Sequence, residues 1–92
     1  MFTVFITDNA ERQDADAART HGVFATWDAA IAAAQAIVDR SLAELHRPGM
    51  RAGELFSHYT LYGEDAFIVP TAGAEKFSAW VYARVRCVLL CG

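Results

Sequence analysis

The chain has 92 residues, of which 54% are hydrophobic and 12% aromatic, and its formal net charge at pH 7 is −3. This length and apolar content predict one folded domain over residues 1–92 and exclude an intrinsically disordered chain. The acidic balance argues against a general nucleic-acid binder, and no apolar run reaches the ~18 residues that a membrane span needs.

The first third of the chain predicts two strands joined by a polar connection. Apolar residues alternate along residues 2–7, as they do in a strand, and Asp8-Asn9 ends the pattern. Residues 10–18 are polar and would form a loop or a single helical turn. Residues 20–25 would then form a second strand that pairs with the first, so the polar segment becomes a long hairpin connection.

A long helix is the clearest element of the sequence. Thr26 is a suitable N-cap, and apolar residues recur at helical spacing from Trp27 to Leu45, which predicts a helix from Trp27 to His46. Pro48-Gly49 ends the helix, because proline cannot continue it and glycine often follows a helix end. At 1.5 Å per residue this helix would be about 30 Å long.

Two further elements follow the Pro-Gly pair. Residues 50–62 predict a second helix with large apolar side chains on one face, and Gly63 would form its left-handed C-terminal cap. Residues 66–69 predict a third strand, which Pro70 closes, and residues 71–74 predict a turn.

The C-terminal segment over residues 78–90 fits both a strand and a helix. Apolar residues alternate from Val81 to Leu89, and the β-branched residues among them favour a half-buried strand. Read as a helix, the segment has Ser78 as its N-cap and one apolar stripe. That stripe comprises Trp80, Ala83, Cys87 and Leu90.

Three motifs carry a resemblance to other chains. Gly-Glu-Asp-x-Phe-Ile-Val at 63–69, Phe-Ser-Ala-Trp-x-Tyr-Ala at 77–83 and Arg-Cys at 86–87 resemble a group of small, uncharacterised bacterial proteins. The resemblance implies a helix over residues 78–90 and brings no activity with it. This chain departs from the group near its end, where apolar residues replace more polar ones. The departure hints at extra burial against a second copy of the chain, and it involves Val85, Val88, Leu89 and Leu90.

Together these elements predict an α+β domain. A short, mainly antiparallel sheet of about three strands would be packed under two or three helices, with the long helix near 27–46 as the packing spine. The N-terminal residues lack the basic region and long apolar core of a signal peptide. We therefore expect a cytoplasmic protein, in which disulfides are uncommon.

The cysteines do not predict a reactive centre. On a helix, Cys87 and Cys91 would be one turn apart, with Cβ atoms about 5–6 Å from each other, and a zinc site would still need further ligands. Arg84 and Arg86 could lower the pKa of Cys87, but no signature of a cysteine hydrolase accompanies it. We interpret Cys87 as a buried, inert side chain, and we expect no metal or cofactor.

The acidic residues also favour structural roles. A calcium loop beginning at Asp14 fails at its sixth position, which Arg19 occupies instead of glycine. Glu64 and Asp65 could be general acid and base, but adjacent residues of an extended segment point to opposite sides. We therefore expect Asp65 to hold the turn or to cap a neighbouring element.

The leading functional hypothesis is a non-enzymatic module that binds another protein or itself, most simply as a homodimer. Its basis is the apolar content of the C-terminal segment over residues 85–90, which is high for so short a chain. Trp80 or Tyr82 could line a groove at the sheet edge, and Trp80 could there contribute to partner or ligand binding, although core packing is the simpler interpretation.

Two alternatives stay open. A small-ligand-binding protein or enzyme subunit would use a charged groove in which Asp8, Asn9, Arg19 and Arg86 converge, provided that no carboxylate already occupies Arg86. A helix-turn-helix DNA binder would present the second helix to DNA, and the acidic charge argues against it. Its candidate DNA contacts are Arg51, Ser57, His58 and Thr60.

Overall fold

A computed structural model describes residues 1–9, 18–70 and 77–91. It has the predicted α+β architecture. Most of the predicted connection over residues 10–18, and the predicted turn over 71–74, lie outside the described residues. The described elements, in chain order, are β1 Phe2–Asp8, β2 Arg19–Phe24, α1 Trp27–Leu45, α2 Ala52–Tyr62, β3 Glu64–Val69 and α3 Ala79–Cys91.

The three strands form an antiparallel sheet with β1 in the centre and the order β2-β1-β3. The predicted pairing of the second strand with the first is confirmed, with a bulge opposite the step from Val4 to Phe5. Alternation along the strands places Val4 and Ile6 on the buried face of the sheet, opposite Ile68 and Ala66 of β3.

Helix α1 covers that buried face. The Thr26 hydroxyl accepts a hydrogen bond from the Ala29 backbone N–H at 3.1 Å, which confirms the predicted N-cap. After Leu45 the backbone becomes extended at His46, and Gly49 has a φ of 81°, a left-handed conformation that favours glycine. The predicted end of the long helix is thus confirmed to within one residue.

The core has two clusters, and α1 contributes to both. The N-terminal and middle turns of α1 pack on the sheet, whereas its C-terminal turns pack on α2 and α3. The first cluster comprises Val4, Ile6, Ala30, Ala34, Ile37, Ala66 and Ile68. The second comprises Val38, Leu42, Leu55, Tyr59, Ala79, Ala83 and Cys87.

The ambiguous C-terminal segment is a helix. The Ser78 hydroxyl accepts a hydrogen bond from the Val81 backbone N–H at 3.4 Å, as expected of an N-cap. Ala79, Ala83 and Cys87, spaced four residues apart, form its buried face. Leu90 was predicted to belong to the buried stripe, but it lies in the last turn and 40% of it is exposed.

Gly63 does not form a left-handed cap, so that prediction is wrong. Its φ of −76° and ψ of 174° are extended and open to any residue. Glycine is needed here for space, because a Cβ would meet the Tyr59 ring and lie 2.8 Å from the Tyr59 carbonyl oxygen and 2.9 Å from Ser41 Oγ.

We expect Gly63→Ala to lower the free energy of unfolding by about 1–3 kcal/mol, because the added methyl group has no space and the backbone must shift. Gly53→Ala is the matched control. Gly53 lies in α2, where an added Cβ would have nothing within 4 Å, so alanine there should raise stability by up to about 1 kcal/mol. Urea unfolding followed by circular dichroism measures both, and equal effects at the two sites would contradict this explanation.

Candidate functional site

Arg19, one of the predicted site residues, is paired with a carboxylate. Its Nη2 lies 2.7 Å from Glu64 Oε2, and Arg40 Nη2 lies 3.4 Å from Glu64 Oε1. The Glu64 backbone N–H donates to Ser41 Oγ at 2.9 Å. Glu64 also faces Asp8 across the pairing of β1 with β3. Because both arginine side chains are more than half exposed, these ion pairs add little stability.

Asn9 is a buried connector between elements. Its side-chain amide donates to the Tyr59 carbonyl oxygen at 2.9 Å, and its backbone N–H donates to the Gly63 carbonyl oxygen at 2.9 Å. The Tyr59 hydroxyl in turn donates to the Glu64 carbonyl oxygen at 2.9 Å. These bonds join the end of β1 to the junction of α2 and β3, so Asn9 has a structural role.

Arg86 lies on α3 and is occupied by a carboxylate of α1. Arg86 Nε is 3.0 Å from Asp39 Oδ1, and the Tyr82 hydroxyl donates to Asp39 Oδ2 at 2.9 Å. Burial, and then the hydrogen bond to Asp39, raise the pKa of Tyr82. Together these contacts fasten α3 to α1.

The proposed charged groove required an unoccupied Arg86, and this condition is not met. Arg19 is bound at the start of β3, whereas Arg86 is bound between two helices. Neither of the two grooves described below is lined by any of the four charged-groove residues. The structure therefore offers no support for a site in which Asp8, Asn9, Arg19 and Arg86 act together.

Cys87 is buried, as interpreted from the sequence, and both cysteines are free thiols. Burial, and then the neighbouring Cys91, raise the pKa of Cys87, so its thiol stays protonated and is a poor nucleophile at neutral pH. Arg84 is engaged elsewhere, with its guanidinium carbon 5.1 Å from the centre of the Phe56 ring. Within the described ranges, no three His, Cys, Asp or Glu side chains are grouped as a metal site would require.

The solvent-facing side of α3 carries an apolar row, which we call the α3 stripe. Its four members are spaced so that they lie on one face of the helix, and each is more than half exposed. They are Val81 at 66%, Val85 at 55%, Val88 at 55% and Leu89 at 65%.

A groove of about 710 Å³ runs beside this stripe, between α3 and the N-terminal half of α1. We call it the α1–α3 groove. Val81 and Val85 belong to both features, so the stripe and the groove form one continuous surface. The groove is lined by Trp27, Asp28, Ile31, Gln35, Phe77, Ser78, Val81, Tyr82 and Val85.

A second groove, of about 440 Å³, lies between β3 and the first turn of α3, and we call it the β3-edge groove. Trp80 is half-buried and lines it, so this residue occupies the sheet-edge position considered from the sequence. Its role in binding stays a prediction. The lining residues are Asp65, Ala66, Phe67, Phe77, Ser78, Ala79 and Trp80.

Asp65 is the carboxylate of the β3-edge groove, and sequence reasoning had assigned it to a turn or a cap. It is half-buried, and burial raises its pKa despite the hydrogen bond from the Ala66 backbone N–H. Among the residues that the structure describes, no basic side chain pairs with it. The sequence could have indicated that Asp65 and Phe67 act together, because residues two apart in a strand lie on the same side of it.

Comparison of the chain with protein-family models, with curated proteins and with solved structures found no match. The resemblance to small bacterial proteins therefore rests on the sequence motifs alone. In the described part of the chain, no helix is long and apolar enough to cross a membrane.

We expect Asp65→Asn to raise the free energy of unfolding at pH 7, because the variant no longer holds a charge in a half-buried position where the described residues offer no basic partner. The pKa of Asp65 is higher in the folded protein than its unfolded value of about 4. The stability of wild type therefore falls as the pH rises from the unfolded pKa to the folded pKa. The advantage of the variant should therefore grow from pH 4 upward and become constant above the raised pKa.

Glu64→Gln is the control, because it removes the carboxylate that holds Arg19 and Arg40 and should not stabilise the protein. Urea unfolding at several pH values measures both variants. A difference between Asp65→Asn and wild type that does not change with pH would contradict this view of Asp65.

Proposed function

We propose that this chain is a non-enzymatic, self-associating module that forms a homodimer through the α3 stripe. The observation that carries the proposal is the exposure of four aliphatic side chains in one row on α3. Scattered apolar residues are normal on a protein surface, whereas contiguous exposed rows mark interaction sites. The proposal makes the stripe an interface between two copies.

The spacing of the stripe suits a second copy of the same helix. Val81, Val85 and Leu89 are four residues apart, so the row reads nearly the same in both directions about Val85. An antiparallel copy would place Val85 against Val85 and Val81 against Leu89, around a two-fold axis. Such an isologous contact is the commonest way in which soluble proteins form dimers.

The charges of α3 would not oppose this pairing. Its two charged residues are Arg84 and Arg86, and both already have partners within the chain. Arg84 packs over Phe56, and Arg86 binds Asp39. The charge of Arg86 is therefore offset by Asp39, and the Arg84 guanidinium is held against the Phe56 ring of α2, so neither side chain has to be buried between the two copies.

The α1–α3 groove would supply the rest of the contact area. A stable interface buries about 800 Å² on each partner, and four aliphatic side chains alone fall short of that. Because Val81 and Val85 connect the stripe to the groove, a partner helix on the stripe would also reach Trp27 and Ile31 at the groove wall. Aromatic residues such as tryptophan are typical anchors of interfaces.

Sedimentation analysis over a wide concentration range tests the proposal. We expect wild type to dimerise and Val85→Lys to be monomeric with an unchanged circular dichroism spectrum, because a buried lysine would face a second lysine across the axis. Val23→Lys is the matched control: Val23 is 53% exposed on β2 and lies on the sheet face away from α1. A wild type that is monomeric throughout would overturn the proposal.

The antiparallel arrangement has its own test in a Cys91→Ser background. Val85→Cys should form a disulfide between copies, because this residue would lie at the two-fold axis. Val81→Cys should not cross-link to itself, since the two copies of residue 81 would be offset by about 12 Å along the helix axis. Efficient self-linking through residue 81, but not through residue 85, would contradict this arrangement.

A further inference from the structure

The β3-edge groove combines one carboxylate with three aromatic rings. Asp65 and Phe67 come from β3, whereas Phe77 and Trp80 come from the start of α3 and the residues before it. The remaining lining residues are small, and the described part of the chain contributes no basic side chain to the groove. A negative charge beside aromatic rings favours a positively charged organic ligand, because cations are attracted both to carboxylates and to ring faces.

The three rings are held in place by neighbours outside the groove. Each packs against a second aromatic ring, so little side-chain freedom would be lost when a ligand binds. The ring-centre distances are 5.1 Å for Phe67 and Phe5, which stack, 6.4 Å for Trp80 and Phe56, and 6.1 Å for Phe77 and Tyr82.

The two adjacent carboxylates of β3 differ in how they are satisfied. Glu64 binds two arginines, whereas Asp65 has a hydrogen bond from the Ala66 backbone and no basic partner in the described residues. No hydrogen bond from the first turn of α3 to Asp65 is present in the described structure. The carboxylate is therefore available to a ligand.

We propose that the β3-edge groove binds an organic ammonium group, with its charge beside Asp65 and its alkyl carbons against Phe67, Phe77 and Trp80. A bare divalent metal ion fits less well. Calcium takes six to eight oxygen ligands, as a general rule, and magnesium keeps an octahedral shell of oxygens, whereas this groove offers one carboxylate and the Ser78 hydroxyl. The β3-edge groove shares Phe77 and Ser78 with the α1–α3 groove but contains no residue of the α3 stripe, and this inference does not depend on the dimer proposal.

Choline and its uncharged isostere 3,3-dimethylbutan-1-ol are suitable probes, because they share a shape and differ in charge. In titrations followed by two-dimensional NMR, choline should shift the backbone signals of Asp65 and Phe67 and the indole signal of Trp80, and these shifts should saturate. The isostere should bind at least about tenfold more weakly, because it gains neither the ion pair nor the cation–π attraction.

Asp65→Asn should weaken choline binding about tenfold while the fold is retained, since the amide has nearly the same shape without the charge. Glu64→Gln is the matched control and should bind choline as wild type does, because Glu64 does not line the groove. The monomeric Val85→Lys variant should also bind choline, which separates this inference from the dimer proposal.

Three outcomes would overturn the inference: no saturable shifts with choline, equal binding of the isostere, or loss of binding in Glu64→Gln but not in Asp65→Asn. A short peptide containing trimethyllysine tests whether the natural cation is the side chain of a peptide or a free small molecule. A peptide ligand can also pair with the outer edge of β3 and shift the amide of Ile68, which does not line the groove, whereas free choline cannot.

Discussion

The packing of α1 on two different partners is the constraint on which the rest of the structure depends. Its 19 residues are long enough to cover the sheet with one half and to hold α2 and α3 with the other. Ala30 and Ala34 are fully buried at the sheet, where their small side chains let the helix approach closely. Val38 and Leu42 continue the same buried face into the helical cluster. Without this shared face the two core clusters would have no common element.

The junction of β1, α1, α2 and β3 is the second fixed point. Gly63 allows the backbone to pass close to Tyr59 and Ser41, and Asn9 bonds both the Tyr59 and the Gly63 carbonyl groups. The Glu64 carboxylate also forms ion pairs with Arg19 of β2 and Arg40 of α1. The Gly-Glu part of the first motif therefore has a structural role, mainly through the small size of Gly63 and the Glu64 backbone, which bonds Ser41 and Tyr59. The Asp-x-Phe part that follows it faces a groove, next to the Phe-Ser-Ala-Trp motif that precedes α3.

Two surfaces stay open because of how the helices are arranged. Helix α3 packs its alanines and Cys87 inward, which leaves the α3 stripe directed to solvent. The sheet ends at β3, and the start of α3 lies beside that edge without filling the space between them. We propose a second copy of the chain as the partner of the α3 stripe and a small organic cation as the ligand of the β3-edge groove. The two proposed sites would differ in chemistry and would share residues at and beside helix α3.

Local sequence determined the elements whose signals agree with each other. The α1 helix has a cap, a helical period and a Pro-Gly stop, and β1 has a clear alternation, so both could be located without coordinates. The C-terminal segment fitted two periods equally well, and packing against α1 and α2 decided between them. Only the tertiary structure decided the roles of Arg86, Asn9, Gly63 and Asp65. The partners of Arg86 and Asn9 are distant in sequence, and the space around Gly63 and the burial of Asp65 depend on neighbours that the folded chain brings together.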